Sequence, residues 1–422
     1  MAAGYAEILR ARHAMRLLTG TLVGRLPNAT AAIAIVLFIR DQGGTYSLAG
    51  ALAAVYGVAN AIGQPVLGRL VDLRGQPKVQ LPAAIASALA MTGFAFAGTD
   101  ALALSYVAVA AAGLFTPPLE GGLRALWPNV LPREEQVHTA YAMDAIAQEV
   151  MFTVGPLLVT VCVSLWSAQA ALVVLNVVGV LGALSVVVSK PSREWRSAPR
   201  EAHWLGALRS PGLLVLLGAF LFIGLALGSI TVAGVSYADG NGGSETNAVY
   251  GWMMAALGLG ALVGGTVYGA RQWSGPPEAR LRWLVALLAL FYVPLTLMPG
   301  PVAMVALTAV AGVFLAPCIA CAFIVVDRHA PQGTVTEAFS WLVTTFTVGA
   351  SVGTAVAGPV VEWGGTRWGF AVPAVTGAVA LLVLLATGRV LTEPRTSGRV
   401  ALSSENDPNR AVEPRFSSGD RA

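Results

Sequence analysis

The chain has 422 residues, of which 56% are hydrophobic and only 11% are charged, with a net charge of +4 and three cysteines. A soluble protein carries about 25% charged residues, so this composition excludes a soluble globular protein, and three cysteines exclude a disulfide framework. Because a membrane-spanning helix takes roughly 20 apolar residues, we predict an all-α membrane protein with no room for a soluble catalytic domain.

Twelve apolar segments of spanning length follow one another along the chain. They lie at 17–39, 46–67, 79–98, 101–124, 140–165, 168–189, 211–236, 248–270, 283–299, 301–326, 337–361 and 370–388. The polar segment 190–210 divides them six and six. We therefore predict five parts: a cytoplasmic N-terminus (1–16), a first six-helix half (17–189), a cytoplasmic linker (190–210), a second six-helix half (211–390) and a disordered, polar cytoplasmic tail (391–422).

The basic residues predict the orientation in the membrane. With the N-terminus inside, 23 of the 26 Lys and Arg residues, Arg124 among them, fall on cytoplasmic segments; Arg40 and Arg367 fall outside, and Arg25 lies within the first span. The positive-inside rule then places both termini in the cytoplasm. The positive charge therefore reports orientation rather than nucleic-acid binding. The excess of Arg over Lys, with much Ala, Gly and Val, indicates a bacterial genome rich in G+C, so we expect a multi-pass protein of the bacterial cytoplasmic membrane.

The two halves share a short repeat. Phe152-Thr-Val-Gly155 in the fifth span recurs as Phe346-Thr-Val-Gly349 in the eleventh, 194 residues later. The fourth and tenth spans also correspond, through Phe115-Thr-Pro117 and Leu315-Ala-Pro317. Parallel six-helix repeats of this kind build one large class of transporters, so we predict two pseudo-symmetric halves.

The turn between the second and third spans carries the most specific motif, Gly68-Arg-Leu-Val-Asp72-Leu-Arg-Gly75-Gln-Pro-Lys78. It resembles the major facilitator superfamily signature Gly-x-Leu-x-Asp-Arg-x-Gly followed by basic residues, with Leu73 where Arg is usual. A carboxylate on such a turn can pair with basic groups or cap a neighbouring helix. The resemblance implies a twelve-helix major facilitator fold and a gating role for Gly68, Asp72, Gly75 and Lys78; the alternative is a turn with a solvated ion pair.

A second motif, Gly155-Pro156 in the fifth span, is similar to the Gly-Pro motif of drug:proton antiporters in that superfamily. Met151 and Val159-Thr160 stand where that motif has glycines, and residues 105–113 lack the antiporters' arginine. The resemblance implies proton antiport; the alternative is a proline kink with close helix packing.

Four ionisable residues fall within predicted spans, where charge is costly and usually functional: Arg25, Glu120, Asp144 and Glu149. Two roles compete, proton coupling and a static ion-pair network. We favour coupling or substrate binding for Glu149 and Arg25, and a structural role for Asp144, one turn from the loop. Glu120 and Arg124 form a second candidate pair at i,i+4.

The second half has no comparable charge within its spans. Its candidate cavity residues are polar or aromatic: Phe220, Tyr250, Trp252, Met253, Tyr292, Trp341, Thr344 and Thr345. An aromatic half facing a charged half suits an amphipathic solute better than a sugar, which needs many hydrogen-bond partners. Cys318-Ile-Ala-Cys321 has a metal-like spacing but lies in an apolar span without histidine, so close packing explains it better than a metal.

These features predict a secondary active transporter that exports a small amphipathic organic compound, driven by protons. Proton-coupled uptake of a nutrient or metabolite is the first alternative. An intramembrane enzyme is the second, and the repeat, the loop motif and the missing catalytic histidine set argue against it. We expect a monomer in the lipid bilayer that binds substrate and protons, with no cofactor, metal or nucleic acid. No phosphate-binding loop pattern occurs.

Overall fold

The computed structural model describes residues 4–199, 203, 205–241 and 246–392, and these are helical almost throughout. The first half contains α1 (Tyr5–Arg10), α2 (Ala14–Asp41), α3 (Tyr46–Arg74), α4 (Gln76–Ala97), α5 (Leu102–Leu114), α6 (Leu119–Val130), α7 (Glu134–Leu165) and α8 (Ala168–Val187). The linker holds α9 (Lys190–Glu194) and a 3-10 turn (Gly206–Arg209). The second half contains α10 (Pro211–Asn241), α11 (Thr246–Ala270), α12 (Pro277–Tyr292) with a 3-10 extension to Leu297, α13 (Pro301–Gly312), α14 (Leu315–His329), α15 (Val335–Gly364), α16 (Thr366–Ala386) and α17 (Gly388–Thr392).

Twelve spans arise from these helices. Eleven segments, counting α5 with α6 and α13 with α14 as one each, are long and apolar enough to cross a bilayer in the described part of the chain. The remaining one, α7, has 32 residues and is therefore about 48 Å long. The predicted fold of two six-helix halves is confirmed. Most of the predicted tail, from residue 393 onward, lies outside the described residues.

Small residues set the helix spacing inside each half. A Cβ atom at Gly224 or Gly228 of α10 would overlap the backbone carbonyls of Phe346 and Ala350 on α15. In the first half, a Cβ at Gly182 of α8 would overlap the backbone of α2. Close backbone approach through small residues replaces the hydrophobic driving force that helices lack in lipid.

The fourth span is broken, which the sequence analysis did not predict. Its helix stops at Leu114 and starts again at Leu119, because Pro117 and Pro118 remove two backbone donors and restrict the residues before them. The second segment then continues to Val130, six residues beyond the predicted end. The tenth span is interrupted at the corresponding place, between Gly312 and Leu315.

The halves meet at one end of the bundle, which we call the linker end: the end that carries α1, the α3–α4 turn and the linker. There Thr139 donates a hydrogen bond to the Gly269 carbonyl at 3.1 Å, and Gln272 donates to Glu135 at 2.6 Å. The Tyr5 hydroxyl donates to the carbonyl of Thr266 at 3.0 Å. Burial raises the pKa of Tyr5 to about 12, so the phenol stays a donor at neutral pH. The linker end is closed in this structure.

Candidate transport site

Asp72 joins the two halves at the linker end. It lies in the last turn of α3 and is 7% exposed. Its Oδ1 accepts a hydrogen bond from the Thr336 amide at 3.1 Å, and its Oδ2 accepts one from the Glu337 amide at 2.8 Å. Both amides belong to the first turn of α15, where backbone donors lack helical partners and the helix dipole favours negative charge. The carboxylate therefore caps a helix of the opposite half.

The other motif residues shape this contact to different degrees. A Cβ at Gly68 would stand 2.6 Å from the Ser340 hydroxyl oxygen, so only glycine lets α3 approach α15 this closely. Gly75 has φ +87 and joins the end of α3 to the start of α4, a backbone conformation that glycine alone adopts without strain. Lys78 is exposed to solvent.

Arg25, Glu120, Arg124 and Asp144 form one buried ion network. Arg25 contacts Glu120 at 2.8 Å and Asp144 at 3.2 Å. Arg124 contacts Asp144 at 2.6 Å and Glu120 at 3.4 Å. Each acid thus touches both arginines, and two positive charges balance two negative ones. Such mutual pairing is what makes charge tolerable away from water.

The sequence analysis underestimated two members of this network. It counted Arg124 among the loop charges, which is wrong, because α6 continues past it and its side chain is fully buried. It placed Asp144 one turn from the loop, but α7 begins at Glu134, ten residues earlier, so Asp144 lies almost three turns inside. The i,i+4 spacing of Glu120 and Arg124 was the available signal.

Arg124 also reaches the second half. Its guanidinium carbon lies 3.7 Å from the ring centroid of Phe323 on α14 and 5.7 Å from that of Phe339 on α15. A cation over an aromatic face is attracted by the ring quadrupole, most strongly where water is excluded. The ion network of the first half therefore ends against an aromatic surface of the second.

Two predicted site side chains, those of Glu149 and Pro156, lie outside the described residues. The backbone of α7 is helical through both positions. Gly155 is buried against α2, where a Cβ would lie 3.3 Å from the Thr30 methyl group. This is tighter than most Cβ contacts, so a larger residue here would require α2 or the Thr30 side chain to shift by a few tenths of an ångström.

The predicted aromatic candidates of the second half occupy separate environments. Tyr292, Met253 and Phe220 are buried in the core, whereas Trp252 is 68% exposed. Trp341 is partly buried, and Thr344 donates to the Ala61 carbonyl of α3 at 3.5 Å. The structure does not gather these side chains around one cavity.

A cavity that the sequence analysis missed lies inside the first half, beside the break of the fourth span. Arg25 and Glu120 line it, and the other polar side chains around it are neutral: Asn28, Tyr56, Gln64, Ser87, Thr116 and Asn176. Tyr56 and Gln64 lie, with Asn60, at every fourth residue of α3, and this polar stripe was an available signal that the sequence analysis did not use. The remaining lining residues come from other parts of the first half, so no single local pattern marks the whole cavity. The centre of a water-sized sphere can move through about 20 Å³ of this cavity.

The cysteine pair belongs to the packing of the second half. Cys318 and Cys321 are both fully buried, and the Cys321 thiol donates to the Pro277 carbonyl at 3.3 Å. Within the described ranges, no three His, Cys, Asp or Glu side chains come close enough to hold a metal ion.

Two six-span halves, closed against each other at one end and containing a buried ion network, define a helical membrane transporter. The sequence matches the Major Facilitator Superfamily over residues 17–303 and 245–416, and the chain belongs to that superfamily. Its members are secondary transporters. A search of the curated proteins gives no match.

Several solved transporter structures have a similar fold. A bacterial homologue of the iron transporter ferroportin, in an outward-facing state, has a TM-score of 0.69 at 14% identity, over 90% of this chain and 100% of that one. The human organic anion transporter MFSD10 has a TM-score of 0.65 at 17% identity, over 88% and 99% of the two chains. The E. coli fucose:proton symporter FucP has a TM-score of 0.66 at 15% identity, over 88% and 97%. At these identities the likeness concerns the fold alone.

Proposed function

We propose that this protein is a proton-coupled transporter that exports a small amphipathic organic compound across the bacterial cytoplasmic membrane, with both termini inside. The observation that carries the proposal is the position of the ion network. It adjoins a polar cavity through Arg25 and Glu120 and contacts the second half through Arg124. A charge change at the cavity can therefore act on the contact between the halves.

Glu120 is the acid we assign to proton binding. It is 14% exposed, against 0% for Asp144, so protons reach it more readily. Protonating Glu120 removes its ion pairs with both arginines and leaves the network with one net positive charge. Since breaking a buried pair costs on the order of 3–5 kcal/mol, this step is large enough to change which conformation is favoured.

Alternating access also requires a contact between the halves that can form and break, and the Asp72 cap is such a contact. Opening the linker end separates the carboxylate from the first turn of α15. A helix cap contributes about 0.5–2 kcal/mol, so the contact stabilises the closed state without making opening prohibitive. Proton binding at Glu120 then selects between states that differ by a few kcal/mol.

Uptake is the second candidate function. The charge balance of the ion network favours it for an anionic solute. Each carboxylate of the ion network pairs with both arginines, so a cationic solute must displace an arginine to reach an acid there. An anionic solute can instead pair with an arginine that protonation of Glu120 releases. Proton and anion would then move together, as in uptake.

Everted membrane vesicles test export. With the vesicle interior acidified and reported by acridine orange, we expect rhodamine 6G to release luminal protons in vesicles with the wild-type protein but not with Glu120→Gln. Carboxyfluorescein is the matched anionic probe. An anion that moves together with the proton would acidify the vesicle interior further. A proton signal with neither compound would exclude only these two substrates, whereas transport of either one that is indifferent to ΔpH would contradict the proposal itself.

A further inference from the structure

The break in the fourth span exposes backbone carbonyls that polar side chains of neighbouring helices satisfy. The Thr116 carbonyl accepts a hydrogen bond from the Gln64 amide at 3.2 Å. The Ala112 carbonyl accepts bonds from the hydroxyls of Ser87 at 2.8 Å and Thr116 at 3.0 Å. This explains how polar groups are tolerated at this depth, and it places them directly before Glu120, which lies in the first turn of α6.

The same groups form a continuous hydrogen-bonded chain that joins α2, α3 and the break in the fourth span. The Tyr56 hydroxyl lies 3.2 Å from the Thr116 hydroxyl and 3.3 Å from the Asn28 side-chain oxygen. Asn60 donates to that same oxygen at 3.1 Å and accepts from Gln64 at 3.3 Å. We call Asn28, Tyr56, Asn60, Gln64 and Thr116 the polar track.

The polar track lies on the side of Glu120 that faces away from the closed linker end. Tyr56 is ten residues from the start of α3, about 15 Å from the opposite end of the bundle. Glu120 is ten residues from the end of α6, about 15 Å from the linker end. Asn28 and Asn60 are partly exposed, so the track is open at these two residues.

The cavity between the track and Glu120 has room for about one water molecule, at about 20 Å³. A buried water needs two to four polar partners. Among the described residues, the Asn28 side-chain nitrogen and the Gln64 side-chain oxygen make no hydrogen bond within the protein, and both residues line the cavity with Glu120. These groups give a water one donor and two acceptors.

The charges around Glu120 come from few elements. Arg25 on α2 and Arg124 on α6 contact it directly, and Asp144 on α7 lies behind them. On α15, the Glu337 carboxylate faces Gly206 of the linker. The cavity-lining residues of α3, α4 and α8 are neutral.

Building on the proton-coupled function proposed above, we infer that the polar track is the route by which a proton reaches Glu120 from the end opposite the linker, through a water held in the cavity. The hydroxyl-bearing residues Tyr56 and Thr116 line the same cavity, so their hydroxyls pass the proton to the cavity water, which passes it to Glu120. It ends on the Glu120 carboxylate, which becomes neutral and loses its ion pairs with Arg25 and Arg124. At each step one O–H bond breaks as the next forms, and the first hydroxyl takes its replacement proton from water at the end opposite the linker, so every relay group ends in its original state.

Two variants interrupt this route without touching a charged group. Tyr56→Phe removes one hydroxyl, and Ala84→Val fills the cavity that Ala84 lines. In proteoliposomes we expect each to slow ΔpH-driven rhodamine 6G flux about tenfold, corresponding to about 1.4 kcal/mol on the barrier. Exchange of rhodamine 6G at equal pH should remain within twofold. Ala86→Val, on the same helix but outside the cavity lining, is the matched control and should behave as wild type.

The outcomes separate the inference from the function on which it rests. If the wild-type protein shows ΔpH-driven flux and both variants keep it in full, the route is wrong and the function stands. The same holds if the variants slow exchange as much as ΔpH-driven flux, because the track then binds substrate. If the wild-type flux ignores ΔpH, both proposals fail. A thermal melt of each preparation ensures that only folded protein is compared.

Discussion

The carboxylate of Asp72, at the end of α3 in the first half, caps α15 of the second half by accepting a hydrogen bond from the Glu337 amide at 2.8 Å. Together with the hydrogen bonds of Thr139, Gln272 and Tyr5, this cap holds the halves against each other at the linker end. It also gives the motif around it a physical role, because Gly68 allows the approach of α15 and Gly75 allows the turn that follows.

Asp72→Asn should weaken this cap while leaving the protein folded. The amide carries no negative charge for the helix dipole and offers one acceptor instead of two, which costs about 1 kcal/mol of closed-state stability. We expect strongly reduced flux in liposomes with a nearly unchanged melting temperature. Asp100→Asn, at an exposed acid of the α4–α5 loop, is the control. Wild-type flux in purified Asp72→Asn protein would show that the cap has no part in gating.

Gly68→Val should hold the linker end open, because a Cβ at this position would stand 2.6 Å from the Ser340 hydroxyl oxygen. In that variant, a cysteine placed at Ser340 should react faster with a water-soluble maleimide than in the parent protein. Gly57→Val is the control on the same helix, since a Cβ there meets nothing within 4 Å. Equal labelling rates in the two valine variants would refute steric closure at Gly68.

Removing one member of the ion network should cost more than removing a balanced pair. Arg124→Met leaves two buried acids facing Arg25 alone, and an uncompensated buried charge costs about 3–5 kcal/mol. Arg124→Met combined with Asp144→Asn removes one charge of each sign and should recover much of that stability. Thermal unfolding of the two single variants and the double variant measures the coupling. Additive effects would mean that Arg124 and Asp144 do not stabilise each other.

Two single cysteines in a cysteine-free background test the predicted orientation. Asp100 lies at the end opposite the linker, and Ser274 lies at the linker end; both are exposed. An impermeant thiol reagent should label Asp100→Cys in intact cells, and Ser274→Cys only after permeabilisation. The opposite pattern would overturn the orientation derived from the basic residues.

The sequence predicted the features that have a local pattern. Runs of apolar residues marked the spans, and the glycines around Asp72 marked the turn. The sequence did not predict features that depend on contacts between residues distant along the chain. Arg124 looked like a loop residue because hydropathy falls after the break in the fourth span. Tyr56, Asn60 and Gln64 formed a polar stripe along α3, but a stripe on one helix does not show which side chains of other helices it will meet.

Glu149 shows a second limit of prediction from the sequence, because position within a span does not reveal a residue's contacts. Its position within the fifth span singled it out as a coupling candidate, and its side chain lies outside the described residues. Glu120 has the contacts that such a role requires, with Arg25 at 2.8 Å and Arg124 at 3.4 Å. Glu120 and Glu149 are therefore competing candidates for the coupling acid, and variants of both residues distinguish them.

Flux through Glu120→Gln and Glu149→Gln, reconstituted side by side, tests the central claim most directly. Glutamine keeps the size and polarity of the acid but cannot bind and release the proton. We predict that Glu120→Gln still exchanges rhodamine 6G at equal pH but loses accumulation driven by ΔpH, while Glu149→Gln retains both. Full ΔpH-driven accumulation by Glu120→Gln would contradict the account, and its loss in Glu149→Gln alone would transfer the coupling role to that acid.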